Sequence, residues 1–106
     1  LNAKNIEFHQ VTINAKIGSS LKTENVNGLE INGFKTNAPL KNNSVISLKN
    51  TSNVFIHNSW PKAGSLSFVD ISGSNSSNIM IKNNNFNNLK VPVQQSSEVK
   101  EKIIFE

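Results

Sequence analysis

The sequence predicts an all-β fold, a parallel β-helix in which one chain winds into about four stacked coils. Three observations carry this expectation. An apolar doublet recurs as Asn5-Ile6-Glu7-Phe8, Gly28-Leu29-Glu30-Ile31, Asn53-Val54-Phe55-Ile56 and Asn78-Ile79-Met80-Ile81, at offsets of 23, 25 and 25 residues. Repeats of that length mark architectures in which no single unit buries its own apolar face. Each doublet alternates with the period of two expected of a strand, and no amphipathic helical pattern separates one unit from the next. Finally, Pro39, Pro61 and Pro92 all fall outside the doublets, where a residue without a backbone donor does least harm to a ladder.

Aligning the units defines columns. Ile6, Leu29, Val54 and Ile79 form one inward column, and Phe8, Ile31, Ile56 and Ile81 a second, two residues on. Strand side chains alternate faces, so Glu7, Glu30, Phe55 and Met80 point outward, as do His9, Asn32, His57 and Lys82. Equivalent residues on neighbouring coils lie about 4.8 Å apart and stack in ladders. The next column, Gln10, Gly33, Asn58 and Asn83, is rich in residues that tolerate positive φ and reads as a turn, with Asn58 over Asn83 as a candidate amide ladder. An apolar residue then returns inward, Val11, Phe34, and Phe86 after a short Asn insertion, while the third coil offers Ser59-Trp60, with Trp60 either filling or overhanging that position. A second strand precedes each doublet, at residues 20–23, 45–48 and 66–71. Polar connections such as Thr36-Asn37-Ala38-Pro39 and Pro61-Lys62-Ala63-Gly64-Ser65 join the strands. Residues 1–97 are thus read as β-helix coils. Residues 98–106 break the pattern, with Ile103-Ile104-Phe105 as a terminal strand or cap.

Composition narrows the function. The 106 residues suggest one domain, and the 36 % apolar fraction suits the narrow core column of a solenoid. Asn (19 copies) and Ser (14) dominate, a bias compatible with disorder were the doublets not so regularly placed. The absence of Cys excludes disulfides and thiolate metal sites. No apolar run approaches the roughly 18 residues that span a bilayer, so no membrane partner is expected. The net charge of +4 comes with 11 Lys and no Arg. That argues against nucleic acid, where Arg supplies most bidentate contacts, and suits an acidic polysaccharide. Leu1 opens almost at once into a repeat strand. The chain therefore reads as a C-terminal part of a longer solenoid, its first coil covered by upstream coils or by a second copy.

The strands bounded by Asn and Gly at 23–25 residues per coil resemble the right-handed parallel β-helix of the pectin-lyase-like superfamily. Val45-Ile46-Ser47-Leu48-Lys49-Asn50, Asn53 to Asn58 with Ser59-Trp60-Pro61, and Ile71-Ser72-Gly73 running into Asn78 to Asn84 resemble late coils of the polygalacturonase-like glycoside hydrolases, family 28. The resemblance implies a secreted, periplasmic or cell-surface pectin-degrading protein. The family's catalytic signatures, Asn-Thr-Asp, a paired Asp-Asp, Gly-His-Gly and Arg-Ile-Lys, are missing. The chain has one Asp, and Asn50-Thr51 is followed by Ser52. The expected role is structural, or that of a substrate-groove wall, without catalytic residues. The competing expectation is a non-catalytic glycan-binding module of the adhesin or tail-spike kind.

The individual candidates are few. Glu7 and Glu30 stack in one outward column near the 5–5.5 Å carboxyl spacing of retaining glycosidases, yet such a pair is the ordinary content of a solvated sheet. His9 and His57 stand two coils apart, too far to share a metal ion. No cofactor and no metal are therefore expected. Trp60, with Lys62 as its charge partner, is the candidate substrate-binding pair, because an aromatic platform beside polar donors suits a sugar ring. Phe55 and Met80 form a small apolar stripe suited to docking a loop or subunit.

Overall fold

The structure, a computed structural model, describes residues 3–13, 18–36, 43–60, 67–86, 89, 91–101 and 103. Eight strands follow one another: β1 (Ala3–His9), β2 (Leu21–Glu24), β3 (Val26–Asn32), β4 (Ser44–Lys49), β5 (Ser52–His57), β6 (Ser67–Ser72), β7 (Ser77–Lys82) and β8 (Val93–Gln95). They form two parallel sheets, β1-β3-β5-β7 and β2-β4-β6-β8, in which odd strands pair only with odd and even only with even. That alternation is the mark of a coil. From β1 to β7 the chain completes three turns, and β8 carries it most of the way round a fourth. The all-β parallel β-helix read from the sequence is the fold observed.

The register agrees with the repeat alignment residue by residue. Ile6 pairs with Leu29, Leu29 with Val54 and Val54 with Ile79, while Phe8, Ile31, Ile56 and Ile81 follow in the second column. Leu29, Ile31, Val54, Ile56, Ile79 and Ile81 are buried. Ile6 and Phe8, in the first described strand, are only half-buried, because they have a neighbouring coil on one side.

A third, minimal face completes each coil. Thr12 bridges Lys35, and Lys35 bridges Trp60, both in parallel sense. Inward of this row lie Val11, Phe34 and Ser59, so Ser59 is the buried residue and Trp60 faces out. Of the two expected placements of Trp60, filling or overhanging the corner, the outward one is observed. The expected Asn insertion before Phe86 is also absent: Asn85 N–H donates to Ser59 O at 2.9 Å, continuing the step by which Trp60 N–H donates to Phe34 O at 2.8 Å. Asn84 takes the place of an apolar residue. Its amide accepts Ser59 N–H at 2.9 Å and donates to Ile56 O at 3.2 Å.

The corners are made by left-handed residues in stacked columns. Asn5, Gly28, Asn53 and Asn78 form one (φ 56°, 92°, 57° and 52°), Gln10, Gly33, Asn58 and Asn83 a second, and Asn25 and Asn50, with Gly73 above Asn50, a third. Asn serves because its short polar side chain tolerates this region and can bond its neighbour. The first column carries an amide ladder that steps aside where the column holds Gly28: Asn78 Nδ2–H donates to Asn53 Oδ1 and Asn53 Nδ2–H to Oδ1 of Asn27, the residue before Gly28, both at 2.6 Å. The expected ladder of Asn58 on Asn83 is replaced by a main-chain bond, Asn58 N–H to Asn83 O at 3.1 Å, while the Asn58 amide donates to Asn32 Oδ1.

At the second and third of these corners a buried hydroxyl satisfies the backbone that turning strands leave unpaired. Thr51 and Ser76 are buried; Thr51 N–H donates to Ser76 Oγ, Thr51 Oγ1 meets Thr23 Oγ1 at 2.9 Å, and Ser76 Oγ–H reaches Ser72 O. Ser44 and Ser67 join through their hydroxyls at the start of the second sheet. There Phe68 and Val69 both donate to Pro92 O, at 2.9 and 3.1 Å, the two-against-one pattern of a β-bulge. The bulge turns two consecutive side chains into the core, where Phe68 meets Phe86 with ring centroids 5.8 Å apart.

The C-terminal segment closes the last coil with side chains instead of a further strand. Glu98 Oε1 accepts Gly73 N–H at 2.8 Å, and Glu101 Oε1 accepts Asn78 N–H at 3.1 Å. Gln95 Oε1 accepts Ile103 N–H, and Gln95 Nε2–H donates to Glu101 O. Val99 and Ile103 add apolar cover to the core. Ile103, expected in a terminal strand, lies outside regular structure; Ile104 and Phe105 lie outside the described residues.

Candidate functional site

Two outward surfaces carry chemistry. The first is the third face. Strand alternation and the inward Ser59 force Trp60 outward, where it is 66 % exposed. Ser59 itself is locked: its hydroxyl accepts Phe34 N–H at 3.1 Å and donates to His57 O at 3.2 Å. Beside Trp60 in the ladder stands Lys35, and next to it a shallow depression is lined by Gln10, Thr12, Asn32, Gly33, Lys35 and Asn58. An exposed indole, an ammonium, three amides and a hydroxyl thus share one surface. The sequence pairs Trp60 with Lys62, which lies outside the described residues, as does Pro61. The cation that the fold places beside Trp60 is Lys35, one coil back. Repeat alignment across the third face would have found it, had Ser59 been recognised as the inward residue.

The second surface is the outer face of the first sheet. Glu7 and Glu30 are in register, as expected, and Phe55 and Met80 continue the column. Met80 is exposed and Phe55 half-buried, lining one hollow with Asn53 and Asn78. His9 and His57 remain two coils apart, with Asn32 in register between them. Spacing along one column does not reveal that each imidazole turns to a glutamate. His9 Nε2–H donates to Glu7 Oε1 at 2.9 Å, two residues back on its own strand, and His57 Nε2–H donates to Glu30 Oε2 at 2.8 Å, diagonally across the sheet. The His57 ring stacks on Phe55 at 4.1 Å and 8°, and its Nδ1 accepts the Asn58 amide at 3.2 Å. Both imidazole nitrogens of His57 are therefore engaged, in the pattern of the Nε2–H tautomer. Glu7, His9 and Glu30 each bring a ligand atom within 4.8 Å of the others. The left-handed bend at Asn5, Gly28 and Asn53 makes the neighbouring surface concave, with Glu7 and Glu30 on its wall.

The fold defines the class of protein, a parallel β-helix with an apolar core, buried hydroxyls at its corners and an amide ladder on its surface. Comparison with protein-family models, curated proteins and solved structures found no match.

Proposed function

We propose that this chain is a non-catalytic β-helix module that binds an acidic glycan across its third face. A pectin-like uronan fits the chemistry. Trp60 supplies the stacking platform, Lys35 pairs with a carboxylate, and Gln10, Asn32, Asn58 and Thr12 offer donors and acceptors to hydroxyls. The observation that carries the reading is the ladder-fixed, 66 % exposed Trp60 in register with Lys35 beside a depression lined mainly by polar side chains. A buried amphipathic ring needs no such setting; an indole held in water beside amides is suited to a ligand that is apolar on one face and polar at its edges. The role is that of one wall of a polysaccharide groove, as in the late coils of polygalacturonase-like hydrolases that the strands resemble, and it implies a secreted, periplasmic or cell-surface location.

One stacked ring and one solvent-screened ion pair support millimolar affinity, about −4 kcal/mol. The test is an NMR titration with oligogalacturonides, following the Trp60 indole N–H and the Gly33 amide in the parent chain, Trp60→Ala and Lys35→Gln. Shifts in the parent that weaken with salt, with the Gly33 response lost in Trp60→Ala, support the reading. Unmoved resonances at tens of millimolar ligand remove it.

A further inference from the structure

We propose that Glu7, His9 and Glu30 form a binding site for one divalent first-row cation of the Zn2+ or Co2+ kind, with His57 as the residue that positions Glu30. The inference is independent of the glycan-binding face.

The argument begins with charge. Parallel register places two carboxylates in adjacent coils of one outward column, an arrangement that repels itself. In this molecule the pair is bracketed by imidazoles, His9 on Glu7 at 2.9 Å and His57 on Glu30 at 2.8 Å. The two histidines differ. His9 is half-exposed and held by the one bond to Glu7. His57 is 15 % exposed, stacked on Phe55 and bonded at both nitrogens. His57 is therefore a fixed support, and His9 a side chain with freedom to turn.

That division matches a metal centre. Catalytic and exchangeable zinc sites use three protein ligands from His and carboxylate and leave a position for water. The three ligand atoms here already lie within 4.8 Å of one another. Small rotations of two exposed side chains, Glu7 and His9, bring them to the roughly 2.0–2.2 Å metal–ligand distances of a four-coordinate ion. The cation takes the place of the hydrogen bond between His9 Nε2 and Glu7 Oε1, the neutral imidazole carrying its N–H on Nδ1 instead, so that both atoms face the ion. Because His57 occupies Glu30 Oε2, Glu30 Oε1 is the oxygen offered to the ion. A second, fixed hydrogen bond on a ligating carboxylate is the outer-shell support that metal sites use to hold ligand orientation. Asn58 orients His57 in turn, which extends the support to the corner ladder. An imidazole among three donors selects a borderline first-row cation over Ca2+, which takes six to eight oxygens.

The experiment uses Co2+ as a spectroscopic probe and Zn2+ as its competitor at neutral pH, on the full chain. The expected result is one Co2+ per chain, seen as visible d–d absorption that Zn2+ displaces and excess Ca2+ does not. Glu7→Gln, His9→Gln and Glu30→Gln abolish the signal, while Glu24→Gln, on the other sheet, leaves it intact. His57→Ala weakens binding about 10–100-fold without changing the absorption bands, the effect of removing an outer-shell partner. Glu7, His9, Glu24 and Glu30 lie on outer faces and His57 is more deeply seated, so far-UV circular dichroism identical to the parent is the control that each variant is folded. Binding that survives Glu7→Gln and Glu30→Gln, or no stoichiometric Co2+ signal in the parent, overturns the proposal.

Discussion

Replacing Gly73 and Gly33 with alanine separates two reasons for a glycine at a solenoid corner. Gly73 has φ 89° and is buried; an added Cβ would lie 2.6 Å from Asn50 Cγ and 2.7 Å from Asn50 N. The Asn50 side chain cannot simply move away, because its Oδ1 accepts Asn75 N–H at 3.2 Å. Gly33 has φ 78°, but its Cβ would meet Gln10 atoms no closer than 3.4 Å, ordinary contact. The left-handed conformation costs an alanine about 1–2 kcal/mol at either position. Gly73→Ala adds about 1–3 kcal/mol for the forced shift of the neighbouring coil and about 1 kcal/mol for the loss of the Asn50–Asn75 bond. The expected losses are about 1–2 kcal/mol for Gly33→Ala and about 3–6 kcal/mol for Gly73→Ala, against a total of roughly 5–15 kcal/mol for a domain of this size. In melting temperature the two variants should differ by at least about 8 °C. Gly33→Asn is expected to be nearly neutral, since Asn58 and Asn83 occupy the same column at φ 55° and 54°. Urea unfolding followed by circular dichroism, with unchanged m-values, measures all three. Equal losses in the two alanine variants, or a Gly33→Asn loss as large as that of Gly73→Ala, would refute the argument from coil-to-coil contact.

Ile56→Ala removes a fully buried side chain between two coils and should cost about 2–5 kcal/mol in the same unfolding assay; a loss under about 1 kcal/mol would contradict the core assignment. Thr51→Val keeps the shape but strips the hydroxyl that meets Thr23 Oγ1 and donates to Lys49 O. The unsatisfied partners should lower stability by about 1–3 kcal/mol, and thermal melts of Thr51→Val and Thr51→Ser, which retains the hydroxyl, check it. The chain by itself should release no reducing ends from polygalacturonan, because the Glu7–Glu30 pair stands on an open sheet with each carboxylate engaged by an imidazole. Release abolished by Glu7→Gln or Glu30→Gln would show that this pair works as acid and base.

The sheets were legible in the sequence because the signal repeats. Apolar residues two apart, recurring at 23 and 25, set the register of β1, β3, β5 and β7, and it holds for every paired residue of both inward columns. Where a polar residue substitutes for an apolar one in the core, the pattern fails. Ser59 and Asn84 sit in an inward column because their side chains serve backbone groups, and nothing in apolar periodicity announces that. Val45 with Ile46, and Phe68 with Val69, read as one inward and one outward residue; all four are buried. The C-terminal closure escaped because Glu98 and Glu101 act once, without a repeat to align. The Glu–His cluster escaped for a different reason: strand alternation says which face a side chain takes, not whether it leans along its own strand, as His9 does, or diagonally, as His57 does.

The closure by Glu98 and Glu101 also gives the molecule a direction of assembly. A stack of parallel coils is a template, and any chain with free strand donors at its end can recruit another copy and grow into a fibre. Here the donors of Gly73 and Asn78, at the two bends of the last coil, are already taken by carboxylates of the same chain. An incoming strand would compete with both glutamates for these donors. Two carboxylates of one chain thus stand where the backbone of a further strand would otherwise accept, and the coil meets any neighbour at these two bends through charged side chains.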